Sequence, residues 1–190
     1  MIYLYETFKS VIPVFVILSV LVFILTVAID LKFKVKDGVM HQIARITIHF
    51  GLIMSFIGIG LVTGLPSDNP EKLTQFEPFR SITDTYLYAT DYAFFNAIVM
   101  NIILFVPFSM FFYLATSRLI LTFVLSFFLS VGIEVLQYIL PIGRISNVDD
   151  VILNTAGAVI GIIIGVIMKV FASFGGKKEQ DKGAIKYEDF

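Results

Sequence analysis

The chain has 190 residues, 57% of them apolar and 15% charged, with a mean hydropathy of +0.89. Soluble domains carry about 25% charged residues, so this composition excludes a water-soluble globular enzyme and a disordered chain. A net charge of −1, from 14 Lys and Arg against 15 Asp and Glu, argues against nucleic-acid binding. The absence of cysteine excludes disulfides, thiolate metal sites and Cys nucleophiles. Two histidines, His41 and His49, are too few for a histidine-based metal site, and neither a metal nor another cofactor is expected. What remains is an integral membrane protein.

A helix needs about 20 apolar residues to cross the hydrocarbon layer. Ser10 to Ile29 is the first such stretch, uncharged between Lys9 and Asp30. Its apolar run exceeds the ~7–15 residues of a signal-peptide core, and it reads as a retained span. Ile46 to Ser67, Tyr92 to Ser117, Leu119 to Leu140 and Val151 to Met168 complete the set. None shows the apolar/polar alternation of a membrane barrel. The expected fold class is therefore all-α, a polytopic bundle of five transmembrane helices. Between the second and third spans, Asp68 to Asp91 carries two positive and five negative charges. A loop of this length is often functional. Asn69-Pro70-Glu71 predicts a short helix there, with Asn69 as N-cap, interrupted at Pro78. From Gly175 onward the Gly/Lys/Glu/Asp-rich tail reads as disordered.

Lys and Arg placement sets the orientation. One side of the five crossings holds Lys32, Lys34, Lys36, Arg45, Arg118, Lys169, Lys177, Lys178, Lys182 and Lys186; the other holds Lys9, Lys72, Arg80 and Arg144. The richer side should be cytoplasmic, with the N-terminus outside and the C-terminus inside. The Lys32–Lys36 run is most simply a topology anchor, with a lipid-headgroup role as the alternative. Tyr3, Tyr5, Tyr86, Tyr88, Tyr92 and Tyr138 fall on the outer side, where tyrosine anchors at headgroup depth.

One ionisable residue lies well inside a span. Glu134 sits about six residues from the outer end of the fourth, roughly 9 Å deep. Gln137 and Tyr138 share its helical face, and Ser130 extends that face inward. Arg144, Asn147, Asp149 and Asp150 follow in a short loop, and Asp149 or Asp150 suits the N-terminus of the fifth span. Asn154 lies in that span's second turn. Asn101, in the third span, could face the same place from below, and Pro107 should kink its helix. Asn101, Glu134, Gln137, Arg144, Asp149, Asp150 and Asn154 could thus converge in an outer-leaflet pocket. Each has a plainer reading. Glu134 and Arg144 could be a structural ion pair, and the two asparagines could be helix–helix glue. Gly157, Gly161 and Gly165 form a small-residue ladder that most simply means close packing; a partner membrane protein is the alternative.

Three separate motifs resemble one family. Asn101-Ile102-Ile103-Leu104-Phe105-Val106-Pro107-Phe108 resembles the N-x-x-x-F-x-P-F signature of VanZ-like bacterial membrane proteins. Ile133-Glu134-Val135-Leu136-Gln137 resembles its I-E-x-x-Q. Arg144, with Asp150 through Gly157, resembles its R-x-x-D-x-x-D-x-x-x-N-T-x-G, and Glu77-Pro78-Phe79 its N-x-x-P-F element. The resemblance covers about residues 46–170. It departs at Asn147, where the family often has Asp, and at Ser109, where Gly commonly follows the P-F pair. It implies a multi-pass protein of the bacterial cytoplasmic membrane, associated with teicoplanin-type glycopeptide resistance. Residues 1–45 then read as an added N-terminal span with a basic cytoplasmic loop, 46–170 as a four-helix core and 171–190 as the cytoplasmic tail.

The favoured function is an envelope protein whose outer pocket handles an amphiphile: a glycopeptide, a lipid-linked wall precursor or a lipid headgroup. Arg144 would meet its phosphate or carboxylate. Whether it is an enzyme stays open. Glu134 and Asp150 could divide acid and base roles in a lipid hydrolase or transferase, but no nucleophile motif accompanies them. A proton-coupled carrier using Glu134 is disfavoured by the lack of inverted repeats. A structural partner of another membrane protein is the last alternative.

Overall fold

The computed structural model describes Lys9 and residues 11–32, 38–64, 66, 74–140 and 143–185, with side chains described except at Asn96 and 175–185. Five helices among these residues are long and apolar enough to cross a membrane. They are α1 (Ile12–Lys32), α2 (Val39–Thr63), α4 (Asp91–Thr116), α5 (Leu119–Ile139) and α6 (Val148–Ile185). The short α3 (Arg80–Tyr88) lies in the long loop. Two-residue strands β1 (Thr74–Gln75) and β2 (Ser146–Asn147) pair in parallel, Thr74 opposite Ser146 and Gln75 opposite Asn147. The expected helix at Asn69-Pro70-Glu71 and the lysines at 34 and 36 lie outside the described residues.

In lipid a backbone must satisfy its own polar groups, and long apolar runs do so as helices. Their hydroxyls bond within the helix too: Thr26 donates to the Val22 carbonyl at 2.7 Å, Thr122 to Arg118 at 2.8 Å and Ser126 to Thr122 at 2.8 Å. This removes the penalty of an unpaired hydroxyl in the bundle. α5 shows how the faces divide. Thr122, Ser126, Ser130, Ile133, Glu134 and Gln137 point inward, while Ile120, Phe128, Leu136 and Ile139 face outward.

α6 packs most extensively on α4, with α5 on another side and α2 across α4. The glycine ladder makes the α4–α6 contact. A Cβ at Gly157 would overlap the Ile102 carbonyl, one at Gly161 the Val106 carbonyl and the Ser109 hydroxyl, and one at Gly165 the Tyr113 ring. The ladder, most simply read as close packing, thus packs against this chain's own α4. Ser109, the departure from the P-F-Gly pattern, is fully buried and donates to the Phe105 carbonyl at 2.9 Å. Gly161 leaves the space its hydroxyl needs. Gly51 does the same for the Phe111 ring between α2 and α4. Ile59, Phe105, Phe108 and Ile133 form the central apolar cluster.

α1 packs on α2 as an antiparallel hairpin, with Phe15 against Gly58 and Phe23 edge-on to Phe50 at 5.7 Å. α2 begins at Val39, ahead of the expected Ile46, because a charged residue ends an apolar run without ending a helix. At the other extreme α6 runs on to Ile185, so the backbone over 175–185 is helical where irregular chain is expected. Ala, Glu, Gln and Lys in that stretch are good helix formers. α4 passes through Pro107 as continuous helix, and its irregularity is a π-helical turn at Phe95–Val99.

Replacing Gly157 by Val should push α6 off α4, because the obstacle is backbone carbonyl and cannot rotate away. A loss of about 1–3 kcal/mol is expected. Thermal unfolding of the detergent-solubilised protein would measure it.

Candidate functional site

Where α2, α3, α5 and α6 meet near the long loop, irregular backbone approaches the bundle, and its N–H and C=O groups need partners. Side chains of α5 and the 143–150 segment supply them. Glu134, 7% exposed, accepts the Asn147 backbone N–H at 2.8 Å. Gln137 donates to the Thr63 carbonyl at 3.0 Å, and Arg144 to the Val62 carbonyl at 2.9 Å. Both close the C-terminus of α2, where a cation also suits the helix dipole. Burial pulls the Arg144 guanidinium below its ordinary range, opposed by the charges of Asp150 and Glu134.

Asp149 has a different task from the one expected. It is fully buried, and its two oxygens accept the N–H groups of Phe79 at 2.5 Å and Ile82 at 3.0 Å. It therefore anchors the start of α3, including Phe79, which adopts a left-handed conformation at φ 65°. Neither acid caps α6. The cap is Asn147, whose Oδ1 accepts the Asp149 N–H at 3.0 Å. Asn caps as well as Asp does. Its amide also donates to Asp150 at 3.4 Å, a bond that a carboxylate at 147 could not make.

Asn154 completes the cluster. Its amide donates to the Ser130 hydroxyl at 2.9 Å, one turn along α5 from Glu134. It is 2% exposed, and its Oδ1 has no hydrogen-bond partner. Asp150 lies one turn before it on α6. The ladder register, Gly157 against Ile102 and Gly161 against Val106, sets Asn101 within about a turn of Asn154 along the bundle. Asn101 itself donates to the Ala97 carbonyl at 3.0 Å, within the π-helical turn.

In this polar network Glu134 and Asp150 meet at Asn147, Arg144 lies within electrostatic reach of both, and Asn154 joins Ser130 one turn along α5 from Glu134, while Gln137 and Asp149 are engaged by backbone at the edges. Among the described residues no three His, Asp or Glu are placed to hold a metal ion. Sequence reasoning missed the bonds from Asp149 to Phe79 and Ile82. The only available signal was the pairing of a Pro-Phe element in the loop with acids far downstream.

A family profile described as VanZ/LLP1 matches residues 11–169. The chain belongs to the VanZ/LLP1 family. The match in this VanZ/LLP1 protein takes in α1 as well as the four spans that follow it. No curated protein and no solved structure matches the chain.

Asp149→Ala should leave the Phe79 and Ile82 N–H groups unpaired, a penalty of about 1–3 kcal/mol. Hydrogen exchange at 79–83 should accelerate about tenfold or more, while the amides of α4 keep their protection.

Proposed function

We propose that this VanZ/LLP1 protein is a multi-pass protein of the bacterial cytoplasmic membrane whose polar network engages an amphiphilic ligand at the outer leaflet. The Lys and Arg distribution supports that orientation. The ligand class is one with a polar anionic head and an apolar body: a glycopeptide, a lipid-linked wall precursor or a lipid headgroup. The observation that carries the reading is the Asn154 Oδ1. A buried acceptor without a donor is rare in a native protein and calls for an unseen partner. Asp150 lies one turn before it on α6, and Arg144, within electrostatic reach of Asp150 and Glu134, keeps its charge under any physiological condition. Protection against teicoplanin-type glycopeptides follows if that ligand, or the precursor it attacks, is what the network holds.

The catalytic alternative, with Glu134 and Asp150 as acid and base, takes second place. Glu134 is already an acceptor for the Asn147 N–H, so its proton transfer would disrupt β2.

Asn154→Leu removes the acceptor and the Ser130 bond while keeping the side-chain size. In a deletion strain, wild-type protein should restore teicoplanin tolerance, and Asn154→Leu and Asp150→Asn should not, at equal membrane levels. Full tolerance with both variants would refute the reading. Turnover of added phospholipid by the purified wild type, abolished by Glu134→Gln, would favour the catalytic alternative.

A further inference from the structure

A second polar site lies between α1 and α2, about 26 Å from the first if 1.5 Å is allowed for each residue from Arg45 to Val62 along α2. Asp30, near the end of α1, is 9% exposed. It accepts from Arg45 Nε at 2.5 Å and from Gln42 Nε2 at 2.8 Å. Beside this pair is a cavity of about 340 Å³ lined by Thr26, Ile29, Asp30, Arg45, Ile46, His49 and Ile53. That volume falls within the range of small-ligand clefts. Its walls are isoleucines and its polar end carries Arg45 and His49. His49 is one turn from Arg45 on the same face of α2 and exposed. Lys32 is the last residue of α1, two positions beyond Asp30.

A buried Asp–Arg pair alone would lock the hairpin. It would not require a cleft or an imidazole on the same face. A cleft between membrane helices with apolar walls, and with a guanidinium and an imidazole at its polar end, suits the phosphodiester and upper acyl chain of an anionic phospholipid. A guanidinium binds such a phosphate well while sharing a carboxylate.

We infer that the α1–α2 cleft is a binding site for an anionic phospholipid, whose phosphate is held by Arg45 and His49 and whose acyl chain lies along Ile29, Ile46 and Ile53. Asp30 competes with the phosphate for Arg45 and tunes the affinity. The site is independent of the polar network at the other end of α2.

The test is lipid retention by the purified full chain, read by native mass spectrometry with phosphatidylglycerol and with phosphatidylcholine of the same acyl chains. Wild type should retain phosphatidylglycerol in preference. The double variant Arg45→Gln/His49→Gln should lower that retention about tenfold, as expected for a lost charge-assisted bond, and leave phosphatidylcholine unchanged. Asp30→Asn should raise it, a change of sign that a purely structural pair would not produce. Ile53→Phe, which fills the cleft without altering charge, should lower it. If the first double variant fails to fold because Asp30 is left buried without its cation, Asp30→Asn/Arg45→Gln keeps the site neutral and should show the same loss. Equal retention of the two lipids by wild type would overturn the inference. So would a preference that survives Arg45→Gln/His49→Gln, or one that disappears only when Lys32, Lys34 and Lys36 are changed to Gln.

Discussion

Two buried carboxylates hold irregular backbone against a membrane bundle, and the arrangement of the loop-rich end follows from that. Glu134 takes the Asn147 N–H; Asp149 takes those of Phe79 and Ile82. Near lipid, an N–H without a partner is heavily penalised, so the loops can approach the helices only where acceptors await them. β1 pairs with β2 and α3 starts where it does because these acceptors are in place. Polar side chains that would suggest a ligand pocket if read singly are in large part the scaffold of the loops.

The same constraint makes the remaining gap informative. Gln137 and Arg144 both donate to carbonyls at the end of α2, and Asn147 caps α6. Against this background of satisfied groups, Asn154 Oδ1 is buried without a donor one helical turn from Asp150. Asn147 in place of the family's frequent Asp is also explained at this level. It performs the cap that Asp would, and its amide adds a donor facing Asp150 instead of a further negative charge.

Close helix approach is the second requirement. The parallel register of α4 and α6 rests on three glycines facing the Ile102 and Val106 carbonyls and the Tyr113 ring. Where hydrophobic transfer provides no drive between helices already in lipid, intimate packing of this kind replaces it. The hairpin of α1 on α2 follows different rules, with aromatic pegs along its length and an Asp–Arg pair near its end.

The sequence by itself determined the five spans, the inward stripe through Ser130, Glu134 and Gln137, the small-residue ladder and the family. Each is a local property, set by transfer of one run to lipid or by spacing along one helix. The structure alone decided which element meets the ladder, that Asp149 serves a loop 70 residues upstream and that Asn147 is the cap. It also paired Asp30 with Arg45, although both were visible at neighbouring span ends. Composition and periodicity describe one helix at a time. Partners so far apart in the chain depend on how helices rotate and register against one another, and that is a property of the packed bundle.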